Sequence, residues 1–286
     1  MSIPEQSTSP AIVFHGAGSM AEAIVRGLIS TGTSKPGTIA MLNRSNRERL
    51  QALSDRYGVH TANEPADKEK LLAEAEIIVL AMKPKDAGAA IKLLGPLLHD
   101  GQLIVSVVAG LSIRTIQTLL GQKLPVARTM PNTSSTIGLG ATGISFSEEV
   151  TDDLRHRTLS IFEAVGTVSV IPEEQMDILT GVSGSGPAYV YFMMEAMIAA
   201  GIEGGLTPEQ SRELTVQTVL GAASMMRETG EEPAELRRAI TSPGGTTQAA
   251  LEVLAQQGFP EAVKRAVHRA AERSREMGAA IEEELS

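Results

Sequence analysis

The chain has 286 residues, of which 42% are hydrophobic and 21% charged, enough for one large domain or two modest ones with a proper core. A formal net charge of -9 argues against a broad nucleic-acid surface, while leaving room for a local basic pocket around a phosphate. With no cysteine, disulfides, thiolate catalysis and cysteine-ligated zinc are excluded, which fits a cytoplasmic location without proving it.

The histidines His15, His60, His99, His156 and His268 are scattered singly, so no metal site is expected. The start MSIPEQSTSP has neither a positive region nor an apolar core, and no signal peptide is expected. The longest apolar runs, such as Ile77–Met82, are too short to span a bilayer, so no membrane partner is expected.

In chain order, short β-rich runs alternate with helix-length amphipathic segments up to about residue 170. The runs are Ile12–Phe14, Thr38–Leu42, Ile77–Ala81, Leu103–Val107, Val126–Arg128, Ala141–Phe146 and Val168–Ile171. Such alternation predicts βαβ units and a mainly parallel sheet. The runs show little polar alternation, as expected of strands covered on both faces. After Pro172 the texture becomes helical, with helices predicted over Glu173–Thr180, Ala188–Ala200, Pro208–Glu228, Pro233–Ile240, Thr246–Gln256 and Pro260–Glu284. A domain boundary is therefore expected near residue 170, between an α/β domain (1–170) and an all-helical one (171–286). The acidic end Glu282-Glu283-Glu284 reads as a solvated helix terminus.

Between the first strand and the first helix stands His15-Gly16-Ala17-Gly18-Ser19-Met20-Ala21, a G-x-G-x-x-A pattern. Gly16 allows a tight turn, Gly18 lets backbone approach a pyrophosphate, and Ala21 lets helix and strand pack closely. Free N–H groups at the helix start would take the phosphate charge. Gly-rich turns also occur for structural reasons alone; the place at the first βα turn favours a dinucleotide. The second strand ends in Leu42-Asn43-Arg44-Ser45, without the acidic residue that binds a ribose 2′-hydroxyl in NAD-selective sites. Neutral Asn43 and charged Arg44 point to a 2′-phosphate, hence NADPH, with NADH as an alternative donor. Ala81-Met82-Lys83-Pro84 and Val108-Ala109-Gly110 follow two further strands and are expected on the same edge.

The helical half holds two motifs that packing alone explains poorly. Thr180–Tyr189 concentrates three glycines and two serines that would be costly inside a helix, so the segment must break or pack closely. Thr241-Ser242-Pro243-Gly244-Gly245-Thr246-Thr247 leads into a helix and offers N–H and hydroxyl donors to a carboxylate. A Pro-Gly turn capped by threonine is the plainer alternative. Met193, Met194, Met197, Met225 and Met226 read as packing in a helical core or a dimer interface.

Taken together with Ala81–Pro84, Met130-Pro131-Asn132-Thr133 and Gly16–Ala21, these motifs resemble Δ1-pyrroline-5-carboxylate reductases in order over nearly the whole chain. The most specific part is Asp177…Gly184-Ser185-Gly186-Pro187 with Thr241–Thr247. The resemblance implies a Rossmann-type doubly wound sheet followed by a helical dimerisation domain. It also implies a homodimer whose site draws on both subunits, and dimers that associate into decamers. The implied activity is reduction of the cyclic imine 1-pyrroline-5-carboxylate to L-proline, the last step of proline biosynthesis.

Carried over, Gly16, Ala17, Gly18, Ser19, Met20 and Ala21 would hold the pyrophosphate. Asn43, Arg44, Ser45 and Asn63 would lie at the adenosine end, and Ala81, Met82, Lys83, Pro84, Ala109 and Gly110 towards the nicotinamide. Ser242, Gly244, Gly245, Thr246 and Thr247 would cradle the substrate carboxylate, with Thr247 as the donor to the imine nitrogen, and Glu173 would lie near the substrate. His15 departs from the apolar residue usual before the glycines, and Ser134 from a common proline. Two other enzyme types remain as alternatives, a β-hydroxyacid dehydrogenase relative and an imine reductase. The dehydrogenase would carry a catalytic lysine on the first long helix, and Ala188–Ala200 has none. A non-catalytic NADP-binding sensor would not need the Ser242–Thr247 pocket.

Overall fold

The structure is a computed structural model that describes residues 10–283. The expectations for residues 1–9 and for Glu284 lie outside the described residues.

Eight strands form a single sheet: β1 (Ile12–His15), β2 (Ile39–Leu42), β3 (His60–Ala62), β4 (Ile77–Leu80), β5 (Leu103–Ser106), β6 (Val126–Met130), β7 (Gly140–Phe146) and β8 (Gly166–Val170). Their order is β3-β2-β1-β4-β5-β6-β7-β8, parallel throughout except for the antiparallel β6–β7 pair. The parallel part, 3-2-1-4-5-6, is the doubly wound order of dinucleotide-binding sheets, with its switch point between β1 and β4. Sequence texture showed seven of these strands. The one it missed, β3, reads His-Thr-Ala and buries only Ala62, so it has no apolar run to betray it.

The pleat divides each strand between two cores. Ile12, Phe14, Met41, Val79 and Val105 face one; Val13, Leu42, Ile78, Leu80 and Ile104 face the other. The first core is closed by α1 (Ser19–Ser30), α2 (Arg47–Tyr57) and α6 (Asp152–Glu163), through residues such as Ile24, Leu28, Leu53 and Phe162. The second is closed by α3 (Pro65–Glu74), α4 (Pro84–Leu94) and α5 (Ile113–Leu120), through Leu72, Ile91 and Ile116. Local chemistry sets the helix starts. The Asn46 side chain accepts from Arg49 N–H at 2.8 Å, Ser112 from Thr115 N–H at 3.0 Å, and prolines open α3 and α4.

After β8 the chain is helical: α7 (Met176–Leu179), α8 (Gly186–Glu203), α9 (Pro208–Thr229), α10 (Pro233–Ala239), α11 (Thr246–Gln256) and α12 (Phe259–Glu283). The helix expected over Glu173–Thr180 is instead a 3-10 turn, Glu173–Gln175, followed by α7. The glycine- and serine-rich segment then widens into a π-turn, Thr180–Gly184, closed by Ser185 N–H on Thr180 O at 2.8 Å. It packs closely, as expected: a Cβ on Gly184 would lie 2.9 Å from Met130.

The chain divides into two compact units. One runs to Ser185 and resumes at Arg269, and the other is Gly186–His268. This differs from the 1–170 and 171–286 division expected from texture. Texture marks where strands stop, whereas side-chain bonds tie the segment after β8 back onto the sheet. Arg128 Nη1 donates to Glu173 Oε1 at 3.1 Å, and Asn132 Nδ2 to Ser183 O at 3.0 Å. The end of α12 belongs to the same unit: Ser274 Oγ donates to Asp177 Oδ1 at 2.7 Å, and a Cβ on Gly278 would lie 2.3 Å from Gly110 O. Glu282 is not merely solvated, since it accepts from Thr115 Oγ1 at 2.5 Å.

In the second unit Thr207 and Gln210 form a reciprocal capping box at the start of α9. Ser211 Oγ donates to Ile198 O at 2.8 Å, and the contact of α8 with α9 needs Gly201, where a Cβ would meet Ser211 Oγ at 2.2 Å. No residue of α8, α10 or α11 is buried.

Candidate functional site

Register places the predicted cofactor residues along one edge. Ala62 stands beside Leu42, Leu42 beside His15, His15 beside Leu80 and Leu80 beside Ser106. Asn63, Asn43, Gly16 and Ala81 therefore leave the sheet next to one another at the carboxyl ends of the strands.

Gly16 turns the chain from β1 towards α1 with φ +128° and donates its N–H to Leu42 O at 3.1 Å. A Cβ there would lie 2.3 Å from Ala81 O, so no side chain fits. Gly18 is the N-cap residue of α1 and extended, and the helix receives no side-chain cap. Nothing lies within 4 Å of the place a Gly18 Cβ would take, and Gly18 and Ser19 are exposed. Ala17 and Ala21 are buried, and Met20 packs on the first core. The first N–H groups of a 12-residue helix thus face open space at the centre of the sheet edge. A glycine cradle that a side chain would fill, beside an uncapped helix start, fits a dinucleotide pyrophosphate.

At the end of β2, Asn43 Oδ1 accepts from Ser45 N–H and Asn46 N–H, both at 3.1 Å. This turn leaves Arg44 pointing out, its side chain 88% exposed, with Asp86 at 3.6 Å as its ion-pair partner. So loose a surface pair is worth little, and the guanidinium can turn to a bound anion. Asn63 is half-buried in the loop after β3. Ala81 and Met82 are half-buried, Lys83 is the exposed N-cap residue of α4, and Pro84 opens that helix. Ala109 is half-buried. At Gly110, with φ +78°, a Cβ would lie 2.9 Å from Ser274 O, so α12 already accounts for the small residue there.

Glu173 lies elsewhere in its bonding. Its Oε1 accepts from Ile113 N–H at 2.7 Å, at the start of α5, and from Arg128. Arg128 is buried and also reaches Asp177 Oδ1 at 3.5 Å. Glu173 therefore has structural partners, with which any substrate contact would compete. Sequence reading missed Arg128 and Ser274; the available signal was an arginine in the middle of a short, otherwise uncharged strand. It also missed Arg49, whose Nε donates to Ala17 O at 3.1 Å inside the glycine turn. His15 is half-buried on the α3 side, and its Nδ1 has no partner among the described residues. Burial lowers its pKa below the ordinary histidine value, and the charge of Lys68 lowers it further.

In the second unit, Gly244 takes φ +73° and Gly245, extended, is the N-cap residue of α11. Gly245 N–H donates to Ser242 O at 3.0 Å, and Gly244 N–H to Gln248 Oε1 at 2.7 Å. The threonine cap weighed as the plainer reading is absent, since α11 has no side-chain cap. Ser242, Gly244 and Thr246 are exposed and Thr247 is half-buried. An 11-residue helix here begins with free N–H groups and two threonine hydroxyls, a donor set suited to a carboxylate. The helix α8 carries no lysine.

Comparison with known proteins gives a consistent result. Residues 173–277 match the family model described as pyrroline-5-carboxylate reductase dimerisation, and residues 11–110 match NADP oxidoreductase coenzyme F420-dependent. The chain is 43% identical over 271 residues to pyrroline-5-carboxylate reductase 1 of Bacillus spizizenii, covering 95% of this chain and 90% of that one. Among solved structures, a pyrroline-5-carboxylate reductase from Coxiella burnetii superposes with TM-score 0.86 at 37% identity, covering 94% of this chain and 98% of that one. The Plasmodium falciparum pyrroline carboxylate reductase with NADP bound gives TM-score 0.85 at 30% identity, covering 95% and 99%.

Proposed function

Since the chain belongs to the pyrroline-5-carboxylate reductase family, we propose that NADPH is its preferred donor and that the residues below divide the work of reducing 1-pyrroline-5-carboxylate to L-proline. The observation that carries this reading is the open, uncapped start of α1 beside Gly16 and Ala81. When bound, the reduced nicotinamide would supply the hydride that adds to the C=N carbon of the imine (C2 of 1-pyrroline-5-carboxylate, which becomes C5 of proline), while the nitrogen takes its proton from solvent.

The chain's own residues bind, orient and polarise. Gly16–Ala21 presents backbone N–H groups to the pyrophosphate. Arg44, with neutral Asn43 beside it and Ser45 next in the turn, meets the 2′-phosphate by a charge-assisted bond. Asn63 lies towards the adenosine, and Ala81–Pro84 with Ala109 and Gly110 towards the nicotinamide. Ser242, Gly244, Gly245 and Thr246 hold the substrate carboxylate. Thr247 donates to the imine nitrogen, which draws electrons from the C=N carbon and prepares it for hydride. Residues 171–286 act as the dimerisation and substrate-binding part, and the working unit is at least a homodimer in the cytoplasm, with decamers as a further assembly. Holding both reactants in place can lower a barrier by about 7–11 kcal/mol in favourable cases, so the lack of an obvious side-chain acid does not weigh against the reaction.

The donor preference is tested by steady-state kinetics of Arg44→Ala with each cofactor. Losing one charged hydrogen bond, worth about 1.5–3 kcal/mol, raises KM for NADPH by about 10- to 150-fold and leaves KM for NADH nearly unchanged. Equal changes for both cofactors would remove Arg44 from the 2′-phosphate.

A further inference from the structure

Arg49 sits in the first turn of α2, but its side chain does not run into solvent. Its Nε donates to Ala17 O at 3.1 Å, and its Nη2 reaches Glu22 of α1. Ala17 lies between the two glycines of the turn, and Glu22 lies in the first turn of the following helix. One guanidinium therefore grips both the turn and the helix it feeds.

The carbonyl it grips matters because the peptide bond is planar and trans. Ala17 O and Gly18 N–H belong to the same peptide plane and point in opposite directions, so fixing one aims the other. Gly18 has no side chain, and nothing surrounds the place of its Cβ, so its own packing cannot set that plane. The far end of Arg49 is firmly anchored as well. Glu22 Oε1 accepts from Arg56 Nη1 at 3.0 Å and from Tyr57 Oη at 2.9 Å, while Oε2 meets Arg49. Burial alone would raise the Glu22 carboxyl, but the hydrogen bonds from Arg49 and Tyr57 and the charges of Arg49 and Arg56 hold it below the ordinary carboxylate value. It stays an anion at neutral pH and keeps Arg49 in place.

We propose that Arg49 is a positioning residue for the cofactor: by holding the Ala17 carbonyl it aims the Gly18 N–H at the dinucleotide pyrophosphate. This rests on the reading of Gly16–Ala21 as the pyrophosphate site. Because the pyrophosphate is common to both cofactors, Arg49 serves NADPH and NADH alike, unlike Arg44.

The test measures dissociation constants of NADPH and NADH by fluorescence titration of the full-length protein, alongside thermal melting. Arg49→Met weakens both cofactors by the same factor, about 5- to 20-fold, and leaves KM for the imine unchanged. Arg49→Lys keeps the charge beside Glu22, but a single ammonium cannot reproduce the two-armed grip, so both constants stay raised. Full recovery of affinity in Arg49→Lys would overturn the peptide-plane role, because charge alone would then suffice. A loss confined to NADPH would overturn it too, making Arg49 a 2′-phosphate ligand instead. Gly18→Val separates the layers, since its side chain would stand where the phosphate must approach. Unchanged NADPH binding in that variant would refute the pyrophosphate site itself. Lost binding there, with wild-type binding in both Arg49 variants, would refute the Arg49 inference alone.

Discussion

Thr247 is the second residue of α11, half-buried, following an N-cap glycine that offers no side chain to the helix start. Valine has nearly its shape without the hydroxyl, so Thr247→Val should keep the fold and the affinity for NADPH. It should lower kcat/KM for the imine by about 10- to 100-fold, the size of losing about 1.4–3 kcal/mol of hydrogen bonding. A hydroxyl that acts in the transition state shows the loss in kcat, and one that only binds substrate shows it in KM. Wild-type kinetics in this variant would shift the orienting role to the N–H of Thr246, since that of Gly245 is held by Ser242 O. At this scale residues with backbone reasons were legible: Gly16 declared itself by pattern, and its φ and the nearby Ala81 carbonyl give the cause. Residues that act by reaching across the fold were not. Nothing in the spacing of Arg49, Ala17 and Glu22 shows that one guanidinium joins them. Likewise the place of Glu173, between Ile113 N–H and Arg128, depends on tertiary packing that no local pattern encodes.

At the scale of elements, strands with apolar runs announced themselves, since β1, β2, β4 and β5 are buried on both faces. The short β3 did not, because pairing with β2 and not its own hydrophobicity makes it a strand. The Thr180–Gly184 segment shows the limit of propensity. Its glycines and serines are poor for an α-helix, yet the chain stays helical by widening to a π-turn. Hydroxyls of Thr180 and Ser183 bond back to Met176 O at 2.8 Å and Leu179 O at 3.2 Å. Helix α12 was readable as a helix but not as one shared between two units. Its return to the first unit depends on Gly278 meeting Gly110 O and on Ser274 meeting Asp177, contacts made across long sequence separations.

For the whole molecule, the unit Gly186–His268 exposes large apolar side chains, including Tyr191, Phe192, Leu214, Leu220, Met225 and Ile240. So much exposed apolar surface on one unit fits the homodimer proposed above, and residues 173–277 match a model described as dimerisation. Light scattering at micromolar protein should therefore report a mass of at least twice 30.2 kDa. A stable, fully active monomer would contradict the dimer. Among the described residues no helix is long and apolar enough to cross a membrane. Doubly wound sheets carry many chemistries, so activity follows from the sites and not from the fold. The most direct test is steady-state turnover of the purified wild-type protein with 1-pyrroline-5-carboxylate, following cofactor oxidation and proline formation together, with NADPH and NADH in parallel. The predicted result is one proline formed per cofactor oxidised, with the higher kcat/KM for NADPH. Absence of proline formation with either cofactor, in protein that binds NADPH, would contradict it.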